Sequence, residues 1–334
     1  MSSNIKGIIL CAGIGKRLYP VTKFISKTLI PVANKPTILY AIEALKEAGI
    51  QEIGIVITRE QQEIQDLLRN GESLGVCIQY IFQNVPLGTG DALHQCADFI
   101  NDSPFIVYLG DNIFGQSIKE LIDIFNSIPA DVYVTTKKVE KSNNYGVVKV
   151  ENNIVTCLQE KPTLPISNDA LTGLYLFNKG IINEFLHLPF SKNGEREMTM
   201  AIKNMLKEGK KVRSYEIKGW WVDMGTPQML LLANKLVLNN FNQNDIDPEV
   251  IIKDSIIIPP VSIKSGCVIS ESVIGPYTSI AKNSIIKKSK INNCIVMNNV
   301  SLFNETFSND IVIKNSYKLQ DKVEHESALL IRGV

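Results

Sequence analysis

The chain has 334 residues, 45% of them hydrophobic and 21% charged, with a formal net charge of +1. That length suits two domains better than one, and the balanced composition is that of a globular protein rather than a disordered one. The near-zero charge excludes a global basic field for nucleic acid, and no apolar run reaches the ~18 residues of a membrane span. Neither nucleic acid nor a membrane is therefore expected as a partner.

The polar start, Met1 to Lys6, leads into the apolar stretch Ile8 to Ala12 and then into glycines, which is too short for a secretory leader. Gly7–Leu10, Ile53–Ile57, Ile78–Phe82 and Phe105–Leu109 are short, apolar and mostly β-branched or aromatic, as buried strands are. Between them Thr37–Ala48 carries apolar residues at Ile38, Ala41, Ile42, Leu45 and Ala48, a helical period closed by Gly49. Gln61–Leu68 and Ala92–Ile100 read as helices too. This alternation predicts an α/β fold, a Rossmann-like and mostly parallel sheet, with ligands at the carboxyl ends of its strands. Six scattered cysteines without a C-x-x-C pair fit reduced core thiols in the cytoplasm, not zinc or disulfides.

The texture changes near residue 240. Asn242–Asn244 is a polar break and Asp247-Pro248 reads as a linker, which predicts a catalytic domain over 1–240 and a second domain over 248–334. In the second, Ile274, Ile280 and Ile286 recur every six residues among small and polar neighbours. Val268/Ile269 and Ile263 continue the pattern backwards after a one-residue slip. A hexapeptide period predicts a parallel β-helix, an irregular Ile-rich β region being the alternative. The pattern fades from Asn304 to Val334, which receives no assignment.

The first strand runs into Leu10-Cys11-Ala12-Gly13-Ile14-Gly15-Lys16-Arg17-Leu18. Two close glycines let the backbone turn its N–H groups toward an anion, and Lys16 and Arg17 add charge beside them. The spacing fits neither a Walker A loop nor the dinucleotide fingerprint. The continuation is Leu18-Tyr19-Pro20-Val21-Thr22, then Ser26-Lys27-Thr28-Leu29-Ile30-Pro31-Val32, then Lys35-Pro36. Here the chain resembles the sugar nucleotidylyltransferase family, whose pattern L-A-G-G-x-G-T-R-L-x-P-x-T, S-K-x-L-x-P-V and K-P it follows without a gap. The likeness is greatest to glucose-1-phosphate thymidylyltransferases of the long form, which carry a C-terminal left-handed β-helix.

The resemblance implies attack of a sugar 1-phosphate on the α-phosphorus of a nucleoside triphosphate, with pyrophosphate leaving and Mg²⁺ as cofactor. On this reading Arg17, Lys27 and Asp111 are catalytic. Leu10, Ala12, Gly13, Gly15, Lys16, Arg17, Gln83, Gly88, Thr89 and Asp111 hold the nucleotide. Tyr145, Gly146, Glu160, Lys161, Thr172, Gly173 and Glu197 hold the sugar phosphate. Asp111 and Asp223 are the metal ligands, a donor set that suits a hard cation sharing its shell with phosphates. Gln83 is the residue expected to read the N3–H and O4 of a pyrimidine.

Three departures stand out. Ala12 and Lys16 replace a glycine and a threonine of the pattern, and Met200 replaces an aspartate after Gly194-Glu195-Arg196-Glu197-Met198-Thr199, which follows G-E-L-E-I-T. Ala12 and the Gln83 to Gly90 segment look like uridylyltransferases that make UDP-N-acetylglucosamine. The segments at Gly110–Phe114, Glu160–Pro162 and Trp221–Gly225 look like thymidylyltransferases. The expected substrates are therefore dTTP and glucose 1-phosphate, with UTP as the alternative nucleotide and a non-catalytic sugar-nucleotide-binding regulator as an alternative of another class. No histidine lies between Asn239 and Glu324, so the tail is expected to serve assembly or regulation rather than acetyl transfer, and the protein to be a homo-oligomer.

Overall fold

The structure, a computed structural model, describes residues 5–186, 188–191, 194–240 and 244–314 and the backbone of 328–332. Residues 242 and 243 of the polar break, and His325, lie outside that set. Two compact units interleave along the chain. The first takes Met1–Ile14 and Ile38–Asp223, the second Gly15–Thr37 and Met224–Val334.

The first unit is built on a nine-stranded sheet. Lys6–Leu10, Glu52–Ile57, Cys77–Phe82 and Phe105–Leu109 pair in parallel, with Leu10 beside both Val56 and Leu109 and Ile57 beside Phe82. Ile8, Ile55, Val56, Phe105 and Val107 are completely buried, as strands covered on both faces must be. Their carboxyl ends share one edge, so the segments after Leu10, Phe82 and Leu109 all leave from it.

The sheet then becomes mixed. Asp169–Phe177 runs antiparallel to Phe105–Leu109 and to Val132–Lys138, and beyond lie Val212–Glu216, Ile154–Glu160 and Gly146–Glu151. Between Gly146–Glu151 and Ile154–Glu160 the antiparallel geometry follows from a connection too short for a crossover helix. Glu151 and Ile154 are joined by Asn152 and Asn153 alone, at φ 51° and 61°, the left-handed pair that closes a tight hairpin. A separate ribbon pairs Asn112–Phe114 antiparallel with Trp221–Asp223.

The helices Thr37–Glu47 and Gln62–Leu68 occupy the periodic stretches. The stretch read as one helix over Ala92–Ile100 forms two, Thr89–His94 and Ala97–Ile100. The Leu93 carbonyl accepts from the Cys96 amide three residues on, which tightens the turn and breaks the axis.

In the second unit the tail is the left-handed β-helix. Its short strands stack in three parallel sheets, and the registers give the coil length: Ile246 faces Ile263 and Ile263 faces Ile280, 17 positions apart, while Ile280 faces Val296 and Val296 faces Val312, 16 apart. Ile274, Ile280 and Ile286 are the inward residues of three successive sides and are fully buried. A five-residue side in each coil, two in the later ones, produces the slips in the hexad. The coil runs through residues where the sequence period has faded, as far as Asp310–Lys314, against which Ala328–Arg332 pairs antiparallel.

Corners require left-handed backbone, supplied by Gly266, Asn283 and Asn299 on one edge at φ 75°, 58° and 59°. A ladder of serines completes the coil. Ser255, Ser272 and Ser289 each accept through Oγ the backbone N–H one coil further on. The same unit holds the helix Pro227–Asn239, capped by Thr226 Oγ1 and begun by proline at its first position.

Candidate active site

In the first unit the site starts where strands end. The Gly110 N–H donates to the Leu10 carbonyl at 3.0 Å, which fixes the start of Asp111's loop beside the Leu10–Ile14 loop. Gln61, buried, donates from Nε2 to the Cys11 carbonyl at 3.0 Å and accepts through Oε1 from the Thr58 N–H. Ala12 is 5% exposed and packs in the core with Ile8, Val56 and Leu93, whereas Gly13 is exposed. The alanine in place of glycine is thus a packing group.

Asp111 and Asp223 are brought together by the small ribbon. Register places Asp223 opposite Asn112, the neighbour of Asp111 in the chain. Asn112 is buried and donates from Nδ2 to Asp111 Oδ1 at 2.7 Å, and its Oδ1 accepts from Trp221 Nε1 at 2.6 Å. The Trp221 ring lies against Tyr145 with centroids 5.4 Å apart. A chain of contacts therefore runs from Tyr145 through Trp221 and Asn112 to Asp111. Gly173, at φ 86°, backs it: a Cβ there would come within 3.2 Å of the Asn112 amide.

The expected sugar-side residues cluster on neighbouring strands. Gly146 faces Glu160 in register, and a Cβ on Gly146 would lie 3.0 Å from Glu160 Oε2. Lys161 Nζ pairs with Glu160 Oε1 at 3.4 Å, and the Lys161 N–H donates to the Tyr145 carbonyl. The Glu197 carboxyl is pushed up to about 7, by burial first and then by the Glu160 charge, with Lys161 partly offsetting both. Tyr175 is likewise raised, by burial first and then by Glu160 and Glu197. Thr172 is fully buried, and its hydroxyl pairs at 2.6 Å with Thr135 Oγ1, which itself donates to the Leu174 carbonyl.

Gln83 is 3% exposed and sits just beyond the strand Cys77–Phe82. Its Nε2 donates to the Gly88 carbonyl at 3.1 Å and to Asp91 Oδ2 at 2.8 Å. The Leu87–Gly90 segment is clamped by Arg196, whose N–H donates to the Leu87 carbonyl and whose carbonyl accepts from the Gly90 N–H. A Cβ at Gly88, φ 104°, would lie 2.5 Å from that same Arg196 carbonyl oxygen, so glycine is required by a close approach. Thr89 Oγ1 accepts from the Met198 N–H at 3.0 Å.

The expected phosphate cations belong to the second unit. Gly15 takes left-handed backbone at φ 69°, and Thr22 Oγ1 donates to its carbonyl at 3.0 Å. Lys16 and Arg17 are exposed and Lys27 is half-buried, its Cβ 3.2 Å from where a Gly15 Cβ would stand. The Arg17 guanidinium lies over Gly225, where a Cβ would meet Nη2 at 2.7 Å.

Residues 6–240 match the model of the family described as nucleotidyl transferase. The chain belongs to this family. It is 41% identical over 238 residues to a low-salt glycan biosynthesis nucleotidyltransferase of Haloferax volcanii, covering 71% of this chain and 67% of that one. Among solved structures it resembles a Bacillus anthracis protein described as a glucose-1-phosphate thymidylyltransferase, in complex with sucrose. That match has a TM-score of 0.67 and 35% identity, and covers 71% of this chain and 96% of that one. It also resembles a UDP-glucose pyrophosphorylase complexed with UDP-glucose, with a TM-score of 0.64 and 25% identity, covering 71% of this chain and 99% of the other.

Within this nucleotidyl transferase several site residues escape sequence reading. Asn112 and Trp221 orient Asp111, Gln61 holds the Cys11 carbonyl, and Asp91 and Arg196 hold Gln83 and its loop. A polar residue inside an apolar-periodic run was the available signal for Asp91. Met200, in place of the expected aspartate, packs partly buried against the main core. Among the described residues no helix is long and apolar enough to cross a membrane.

Proposed function

We propose that this chain transfers a nucleoside monophosphate from dTTP to glucose 1-phosphate, yielding a nucleotide-sugar and pyrophosphate. The observation that carries the reading is the Asp111–Asn112–Trp221–Asp223 ribbon, two carboxylates oriented at a strand edge in a chain of this family. Among the described residues no third His, Cys, Asp or Glu joins them into a closed cage. Two carboxylates with an open remainder fit Mg²⁺, which completes its shell with phosphate oxygens and water. When bound, the ion would neutralise charge on the triphosphate and on the departing pyrophosphate.

The residues' own tasks follow from an anion attacking an anion. Arg17 offers a fork of donors to phosphate oxygens and Lys27 a point charge, so both lower the repulsion that opposes attack. Asp111 and Asp223, fixed by Asn112 and by strand pairing, hold the metal's place without reorganising. Glu160 and Glu197 accept sugar hydroxyls, and Lys161, exchanging its pairing with Glu160, holds the sugar's phosphate. Tyr145, its ring tilted against Trp221, couples the sugar side to the metal side.

UTP is the second reading for the nucleotide, favoured by the structural likeness to a protein that holds UDP-glucose. Pyrophosphate release with Mg²⁺, measured for dTTP, UTP, CTP and GTP against glucose 1-phosphate and N-acetylglucosamine 1-phosphate, tests both. Release strongest with dTTP and glucose 1-phosphate is the expected outcome. Release strongest with UTP replaces the nucleotide, and no release with any pair leaves the sugar-nucleotide-binding regulator as the better account.

A further inference from the structure

Gln83 ends in an amide that could present either a donor or an acceptor. Here its surroundings decide. Both neighbours of its terminal group, the Gly88 carbonyl and the Asp91 carboxylate, accept hydrogen bonds only, so the NH₂ must face them and both of its hydrogens are taken. Among the described residues Oε1 has no partner, and it is the atom left to meet a ligand.

Asp91 is itself fixed. It is 5% exposed, and its second oxygen, Oδ1, accepts from Arg196 Nη1 at 3.2 Å. Arg196 stacks its guanidinium 4.6 Å from the Phe190 ring centre and grips the Leu87–Gly90 segment through its backbone. Arg196 stands where the family pattern G-E-L-E-I-T has leucine, which has no charge to offer a carboxylate. Arg196 is thus one of this sequence's own departures.

We infer that Asp91, held by Arg196, is a positioning residue that makes Gln83 a pure hydrogen-bond acceptor, so that the site selects a base carrying an N–H at the centre of its pairing edge. The inference rests on the nucleotidylyltransferase reading and deepens it. Thymine and uracil offer N3–H to that oxygen, and cytosine offers a lone pair at the same place. Acceptor facing acceptor leaves both unpaired in a confined site, which is the kind of mismatch that binding sites reject strongly. The device therefore separates imide pyrimidines from cytosine and is indifferent to the methyl group and the 2′ position.

Asp91→Asn tests it. The asparagine keeps the size of the side chain but can turn its own NH₂ toward Gln83, allowing the Gln83 amide to reverse and present N–H outward. The ratio of kcat/KM for dTTP, or UTP if that is preferred, over CTP should fall at least tenfold. KM for the sugar phosphate and the thermal midpoint should stay near wild type. Arg196→Leu, which restores the family's residue, should lower the ratio in the same direction by less. Equilibrium binding of dTTP, UTP and CTP to the same three proteins gives the readout without turnover. A wild type with no preference for the imide bases, or an Asp91→Asn protein that keeps the full preference or loses activity uniformly across nucleotides, overturns the inference. A wild type that binds dTTP or UTP selectively yet releases no pyrophosphate sinks the proposed reaction and leaves the inference standing.

Discussion

The residues proposed for the chemistry fall in both units of this protein. The sheet unit holds the carboxylates, Asp111, Asp223, Glu160 and Glu197, and the unit that contains the β-helix holds Arg17 and Lys27, the cations proposed for phosphate. The units also bury polar groups differently. In the β-helix Ser255, Ser272 and Ser289, the last two buried, repeat from coil to coil, and each accepts a backbone N–H from the next coil. In the sheet unit the buried polar residues Gln83, Asp91, Asn112 and Thr172 follow no period, and three of them orient groups at the strand edge. Burying a polar side chain costs stability unless it is paired. Where that cost recurs with a period it serves the fold, and where it does not, function is the better explanation.

The segment that carries the cations is fastened inside its unit. Asn234 is fully buried; its Oδ1 accepts from the Ala33 N–H at 2.8 Å and from Ser279 Oγ at 2.9 Å, and its Nδ2 donates to the Tyr277 carbonyl at 3.1 Å. Asn34 Nδ2 donates to the Ser262 and Ile280 carbonyls. The β-helix is thus the support to which the segment Gly15–Thr37 is tied, besides any part in assembly.

The sharpest test of the division is Asp111→Asn. It removes one of the two carboxylates proposed for the metal but keeps the shape that Asn112 packs against. Several kcal/mol of charge stabilisation is lost, so kcat should fall by about three orders of magnitude with the thermal midpoint near wild type. A kcat within tenfold of wild type would take the chemistry away from the sheet unit. Asn234→Ala should do the reverse. It orphans an N–H, a hydroxyl and a carbonyl in one buried place, for about 2–5 kcal/mol of stability. Its thermal midpoint should drop by several degrees, and at a temperature where it is folded KM for the nucleotide should rise as the cation segment loosens. An unchanged midpoint would mean the segment is not held through this residue.

How much was legible follows the same division. The strands ending at Leu10, Phe82 and Leu109 announce themselves because continuous apolar β-branched runs have few other uses. The β-helix announces itself at Ile274, Ile280 and Ile286, and fades in sequence where 16-residue coils shift the hexad, although the fold continues through Phe307 and Val312. The mixed half of the sheet was not legible, since hairpin order depends on which strands pair, as Ala170 does with both Lys137 and Val147. Motif matching supplied the residues proposed to meet substrate. It missed Asn112, Trp221, Asp91 and Arg196, because supporting residues are fixed by neighbours distant in the chain. Nor does any change in composition mark Gly15–Thr37 as part of the second unit.

A smaller effect is expected at Gly225. A Cβ there would meet the Arg17 guanidinium at 2.7 Å, at the far end of a flexible side chain. Gly225→Ala should therefore leave the thermal midpoint almost unchanged and push the guanidinium aside. Misplacing a phosphate-binding group by an ångström costs on the order of 10- to 100-fold in kcat/KM. Full activity in this variant would mean Arg17 works from another position.

The smallest effect lies in the pH dependence of the sugar side. Glu197 titrates near 7 in the folded protein, against 4.5 for the free group, because burial and the Glu160 charge disfavour its ionised form. A carboxyl whose folded value is raised binds more protons in the native state than in the unfolded one. Its contribution is therefore fully present below about 4.5 and is lost as pH rises through 7. Glu197→Gln cannot ionise and escapes that loss. The thermal midpoint of the variant minus that of the wild type should grow more positive from pH 5 to pH 8, while activity falls because glutamine is a weaker acceptor for a sugar hydroxyl. A difference independent of pH would mean that Glu197 is ionised across the whole range, with Lys161 outweighing Glu160 as its partner.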